Sequence, residues 1–227
     1  MRIEQPKGSR GSLKWIQRAV SERWPSLEEP ILSATGATAL RWHSPLAADA
    51  YAEYRDEAFL GLLSQLHLAD ALQSFWPARG PQWDALAKTA KGGVVLVEAR
   101  AHIGEMISPA SATGVLSRQR IDAVFEDLAE RLRASPLRAS WTGHFYQLAS
   151  RLAYLDFLRR NGVEAWLVLA NFVGDDDMGG PRSAEAWQAA FQVARGVMGL
   201  SARHALTPYM IPVYPDVRDY PEAEALA

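Results

Sequence analysis

The sequence contains no cysteine. That excludes disulfides, thiolate-bound zinc, iron–sulfur clusters and a cysteine nucleophile, and leaves oxygen and imidazole as the ligands of any metal. It also lacks an apolar run of the roughly eighteen or more residues that cross a bilayer. The opening MRIEQPKGSRGSLKW has neither the apolar stretch nor the small-residue cleavage site of a secretory leader. A soluble, cytoplasmic protein with no membrane partner is expected. Neither sign of charge dominates: 24 basic residues face 26 acidic ones, a formal −2. A polyanionic partner must therefore be met by a local basic surface. There is no Walker lysine loop, no G-x-G-x-x-G after a strand, no H-E-x-x-H and no G-x-S-x-G, so nucleotide hydrolysis, dehydrogenation, zinc proteolysis and serine hydrolysis have no support. Repeats and low-complexity segments are missing too.

What is present is the material of one α/β domain over 1–227, with 48% hydrophobic residues. Gly8, Gly11, Pro25, Pro30 and Gly36 punctuate residues 1–43, which read as an irregular lead-in. Ser44-Pro45 offers an N-cap and a proline at the first helical position, and helical spacing over 46–68 predicts a long first helix. Residues 82–88 and 93–101 read as two strands joined through Ala90-Lys91-Gly92-Gly93. Val94 to Val97 is apolar on both faces, as suits a strand covered on both sides. Helices are expected over about 121–132, 142–160 and 183–197, and strands over 165–173 and 209–214. The strand over 165–173 is expected to run parallel to its neighbour after a helical crossover. The core thus spans 44–173, the C-terminal extension 174–227, and the acidic tail after Asp219 reads as a loose terminus.

Asp84 and Glu98 lie seven residues to either side of Lys91. A hairpin turning there sets them opposite each other on one face, with Cβ atoms about 4.5–5.5 Å apart, close enough to share a hard cation. Strand alternation adds Arg100 and His102 to that face. A pair of solvated strand-end carboxylates explains the same residues equally well.

Pro81-Gln-Trp-Asp84 followed by Glu98-Ala-Arg100 resembles the PD-(D/E)xK nuclease superfamily, in which a hairpin presents Asp and then Glu-x-Lys. The resemblance implies a restriction-endonuclease-like mixed sheet flanked by helices, an αβββαβ core. It further implies a Mg²⁺ (or Mn²⁺) site built from Asp84, Glu98, the Ala99 carbonyl and Glu57 (or Glu53, one turn earlier), with Gln147, Arg151 and Tyr154 facing it from the following helix. The partner implied is nucleic acid, in the first place DNA. The sequence departs from the pattern where the motif lysine should stand. Arg100 keeps the charge and can clamp phosphate oxygens, but a guanidinium does not give up its proton and so cannot act as a base; either the metal alone activates the water, or Lys88, Lys91 or His102 substitutes. A binding or regulatory protein on the same fold is the alternative, and an acid/base carboxylate pair acting on a glycoside is a weaker third.

Other features carry less. Asp175-Asp176-Asp177 lacks the alternating ligand spacing of a calcium loop and reads as a solvated loop. The eight tryptophans are scattered in the manner of core residues. Arg118, Arg120, Arg131, Arg133 and Arg138, extended by Arg151, Arg159 and Arg160, form either a solvated helix face or a phosphate-tracking surface.

Overall fold

A computed structural model describes residues 1–110, 114–135 and 140–221. Arg138 and the tail beyond residue 221 fall outside them. Five strands form the main sheet: β2 (Leu40–Ser44), β4 (Ala85–Thr89), β5 (Val94–Arg100), β6 (Ala165–Asn171) and β7 (Met210–Val213) lie side by side in that order. The pairs β2/β4 and β4/β5 are antiparallel, whereas β5/β6 and β6/β7 are parallel. A two-stranded ribbon stands apart, β1 (Arg2–Ile3) against β3 (Glu53–Tyr54).

Helices cover both faces of the sheet, which is why β5 and β6 are buried along their whole length. On one face lie α1 (Gly11–Ser21) and α2 (Pro25–Thr35), packed through Trp15, Trp24, Leu27 and Ile31 onto Val95, Val97, Trp166 and Val168. On the other face α3 (Glu57–Leu62), α4 (Ala69–Phe75), α5 (Val115–Leu132) and α7 (Tyr146–Arg160) pack onto Leu86, Val94, Leu96, Leu167 and Leu169. The short α6 (Ser140–Gly143) precedes α7, and α8 (Ala184–Val197), capped by Ser183, precedes β7. All eight tryptophans are buried, so they serve packing.

Three expectations need correction. Residues 1–43 are not irregular: they form two helices and most of an edge strand. Within α1, Trp15, Ile16, Ala19 and Val20 make a buried stripe at helical spacing, and Gly36 closes α2 in the left-handed conformation. The long helix over 46–68 does not exist. Ser44 ends β2 instead of capping a helix, and Ala50, Tyr51, Asp56 and Ser64 all take positive φ, which interrupts any α-helix. In its place are short helical turns and β3, which pairs with β1 near the N-terminus. Finally, 142–160 is two helices, because Ser108 pairs with Phe145 and breaks the run.

Candidate functional site

The β4/β5 register pairs Ala85 with Val97, Leu86 with Leu96 and Lys88 with Val94. Every pair sums to the same value, so Asp84 and Glu98 come opposite each other where the hairpin opens. Leu86 and Leu96 share the face covered by α7, and strand alternation puts Asp84, Glu98 and Arg100 on that face as well. The Asp84 carboxylate accepts the Ala99 N–H at 2.8 Å.

Glu98 is buried, at 2% exposure, and is held between two guanidiniums. Arg151 Nε, from the centre of α7, bonds Glu98 Oε2, while its Nη2 reaches the Gln82 carbonyl at 2.6 Å. The Arg151 guanidinium also lies over the Trp83 ring, 4.7 Å from its centroid. On the other side, Arg100 Nη2 stands 3.4 Å from Glu98 Oε1.

Arg100 is itself only 1% exposed. Its Nε and Nη1 are buried without a partner, and its guanidinium lies 5.8 Å from the Phe191 ring. It does not stand at the surface, where a phosphate clamp was expected. Nor are the substitute bases in reach. Lys88 bonds Ser64 at 3.2 Å four residues up β4 from Asp84, about 13 Å along a strand, and Lys91 belongs to the turn at the far end of the hairpin. The His102 side chain completes a capping box with Glu105 at the end of β5, which is the packing role of a strand-end histidine.

Glu57 is not part of the cluster. It begins α3 on the surface and accepts the Gln73 amide at 2.6 Å. Glu53 takes its place, from β3. This carboxylate is buried, bonded by the Gln82 side chain and by Gln5 Nε2 at 3.3 Å. Burial and the neighbouring Glu98 both push its pKa up. Burial, Glu98 and Glu53 together hold the Asp84 carboxyl well above the usual carboxylate range. Of the helix residues expected to face the site, Arg151 does so through its bond to Glu98. Tyr154 is buried among Phe59, Phe75, Trp76 and Trp83 with its hydroxyl unpartnered. Gln147 is half-buried one turn before Arg151 and donates its backbone N–H to Ser108 Oγ at 3.0 Å.

The donor chemistry, carboxylate oxygens with one charge left over from three carboxylates and two guanidiniums, fits a hard divalent cation. As placed, the carboxylates are bonded to protein donors, and among the described residues no three His, Asp or Glu side chains form a group that could hold a metal ion. The Asp175 carboxylate likewise is no solvated loop group: it is buried and accepts Trp15 Nε1 at 2.6 Å.

No family model, curated protein or solved structure matches this chain. Its function must be argued from the site. Sequence reasoning ranked Glu57 ahead of Glu53, and the only signal that could have reversed the order is the pairing of Arg2 and Ile3 with Tyr54 and Glu53, which no local pattern announces.

Proposed function

We propose that the chain is a restriction-endonuclease-like, Mg²⁺-dependent (or Mn²⁺-dependent) phosphodiesterase that hydrolyses DNA. The observation that carries this reading is the register opposing Asp84 to Glu98 at the open end of a hairpin, with Glu53 as a third carboxylate in electrostatic reach of both. The order of elements supports it in part: α2 leads into β2 and, after α3 and α4, the β4–β5 hairpin is followed by helices and the parallel strand β6. Asp84, Glu98 and Glu53, with the Ala99 carbonyl, are the groups that would hold the ion. A bound dication neutralises charge on a phosphodiester and lowers the pKa of water. The chain's own part is positional. Arg151 fixes the Glu98 carboxylate and ties it to Gln82, and burial of the cluster strengthens every charge interaction in it. No lysine base is supplied: an arginine stands at that position, and it is enclosed.

The reading is tested by incubating single- and double-stranded DNA with the protein and Mg²⁺ or Mn²⁺. Asp84→Asn and Glu98→Gln are each expected to lower cleavage by on the order of 10²-fold or more. Cleavage that survives both substitutions sinks the proposal. One observation favours a second reading, a nucleic-acid-binding protein without catalysis: Glu98 already has a guanidinium on each oxygen, which an arriving cation must displace. DNA binding with no metal-dependent cleavage identifies that case.

A further inference from the structure

Apart from the carboxylate site, a cavity of about 670 Å³ opens beside the N-terminal segment, its walls formed by Lys7, Lys14, Gln17, Arg18, Glu22 and Tyr51 among others. Its volume falls in the range of about 300–1,000 Å³ typical of ligand pockets. Three of the lining side chains are cationic and one is a carboxylate, Glu22, which Arg18 holds at 2.8 and 3.1 Å. The wall is built firmly. Gln17 is buried, accepts the Gly8 N–H at 2.7 Å and donates to the Pro6 carbonyl at 3.0 Å. Gly8 is required there, since a Cβ would fall 2.5 Å from the Lys14 nitrogen. These bonds hold the segment carrying Lys7 against the helix carrying Lys14. Tyr51 also lines the cavity, its backbone in the left-handed conformation at φ 49°.

Both walls are joined through the chain to Glu53 of the carboxylate cluster. Gln5, two residues before Lys7, bonds Glu53, and its backbone N–H donates to Ala50 at 3.2 Å. Glu53 in turn lies two residues after Tyr51. Two residues span at most about 7 Å, which a strand covers in about two stacked nucleotides.

We propose that this cavity receives the nucleic-acid strand next to the scissile phosphate, with Lys7 and Lys14 on phosphate oxygens and Tyr51 stacked on a base. The inference rests on the phosphodiesterase reading. A cation-lined groove with an aromatic platform is the usual form of a single-strand site, so the strand is expected to be unpaired where it enters.

Fluorescence anisotropy of a labelled single-stranded DNA oligonucleotide on the full chain carrying Asp84→Asn tests the cavity without cleavage. Adding Lys7→Glu and Lys14→Glu is expected to weaken binding at least tenfold at low salt and to flatten the slope of log K against log salt by about 1.4, two phosphates at about 0.7 each. The neutral pair Lys7→Gln and Lys14→Gln gives the same change of slope, and thermal melting checks the fold of both. Tyr51→Ala is expected to weaken binding about fivefold or more, and Tyr51→Phe to restore it. Unchanged affinity and slope in the charge variants, or no oligonucleotide binding by the Asp84→Asn chain, overturns the proposal. Mg²⁺-dependent hydrolysis of bis-p-nitrophenyl phosphate, too short to reach the cavity, is read separately on chains with native Asp84. Its absence alongside Lys7- and Lys14-dependent binding overturns the phosphodiesterase reading and leaves the cavity as a strand site.

Discussion

The two ends of the β4–β5 hairpin differ in how their polar groups are satisfied. At the closed end the bonds that make the turn are local. Thr89 N–H donates to the Gly93 carbonyl at 2.8 Å, Gly92 N–H donates to the Thr89 carbonyl at 2.9 Å, and Gly93 N–H donates to the Thr89 hydroxyl oxygen at 2.9 Å. At the open end the partners come from across the chain: Glu98 meets Arg151, Asp84 meets Ala99, and Glu53 meets Gln82 and Gln5. Several polar atoms near it stay buried without a partner, among them Arg100 Nε and Nη1, Trp83 Nε1 and Tyr154 Oη. Buried polar groups are normally paired, and each exception costs stability. A cluster of exceptions around a set of charges is where a fold gives up stability to keep a site.

The largest effect should come from separating the two arginines of the open end. Arg151→Met leaves the Glu98 charge buried with only the distant contact to Arg100, and removing one partner of a buried ion pair is expected to cost about 3–5 kcal/mol in urea unfolding. Arg100→Met removes a guanidinium that already has two unpartnered nitrogens, so its expected cost is less than about 1 kcal/mol. Equal costs would show that both arginines hold Glu98 alike, and the contrast drawn between them would fail.

Next comes pH. Free Asp and Glu carboxyls titrate near about 4, and burial with neighbouring carboxylates raises Asp84 in the folded protein. The stability tied to its proton is therefore fully present below the unfolded pKa and is lost as pH rises through the folded value. Asp84→Asn removes that dependence. The stability of the variant minus that of the native chain, from urea midpoints, should grow from about pH 4 toward neutrality. Addition of Mg²⁺ at neutral pH should raise the melting temperature of the native chain and not of the variant. Parallel pH profiles would mean that Asp84 keeps an ordinary pKa and that no unmet charge waits at the open end.

At the closed end, Gly92 sits at φ 89° with open space around its Cβ position. Gly92→Ala should cost about 1–2 kcal/mol from backbone strain alone, with no change in nucleic-acid binding or cleavage.

The same contrast explains what could be read from the sequence. The hairpin register followed from two glycines and the spacing about Lys91, because a turn fixes its strands locally. The buried character of β5 and β6 followed from unbroken apolar runs, and the parallel crossover from a helix between them. The first helix did not follow. Residues 46–68 have helical spacing, but Glu53 and Tyr54 are claimed by Ile3 and Arg2 some fifty residues earlier, and tertiary pairing overrides a weak local preference. The irregular reading of 1–43 failed for the opposite reason: proline and glycine there mark the start of α2 and its end, not its absence. Arg100 was legible as a departure from a pattern, yet its enclosure depends on Phe191 and the crossover elements, which no spacing in 84–100 encodes.

The smallest effect belongs to Glu57, and it separates two versions of the site. Glu57 is exposed, and its partner Gln73 lies on the surface beside it; surface substitutions of this kind change stability within about 0.5 kcal/mol. Glu57→Ala should therefore leave urea unfolding within that margin and leave Mg²⁺-dependent DNA cleavage unchanged. Glu53→Gln keeps the volume and removes a buried charge beside Asp84 and Glu98. It should lower cleavage and lower the pKa of Asp84, because one of the neighbours that raises it has lost its charge. The second shift is readable as a smaller gain of stability on further substitution by Asp84→Asn at neutral pH. If cleavage follows Glu57 instead, the third carboxylate is supplied from α3, and the strand pairing that buries Glu53 serves the fold alone.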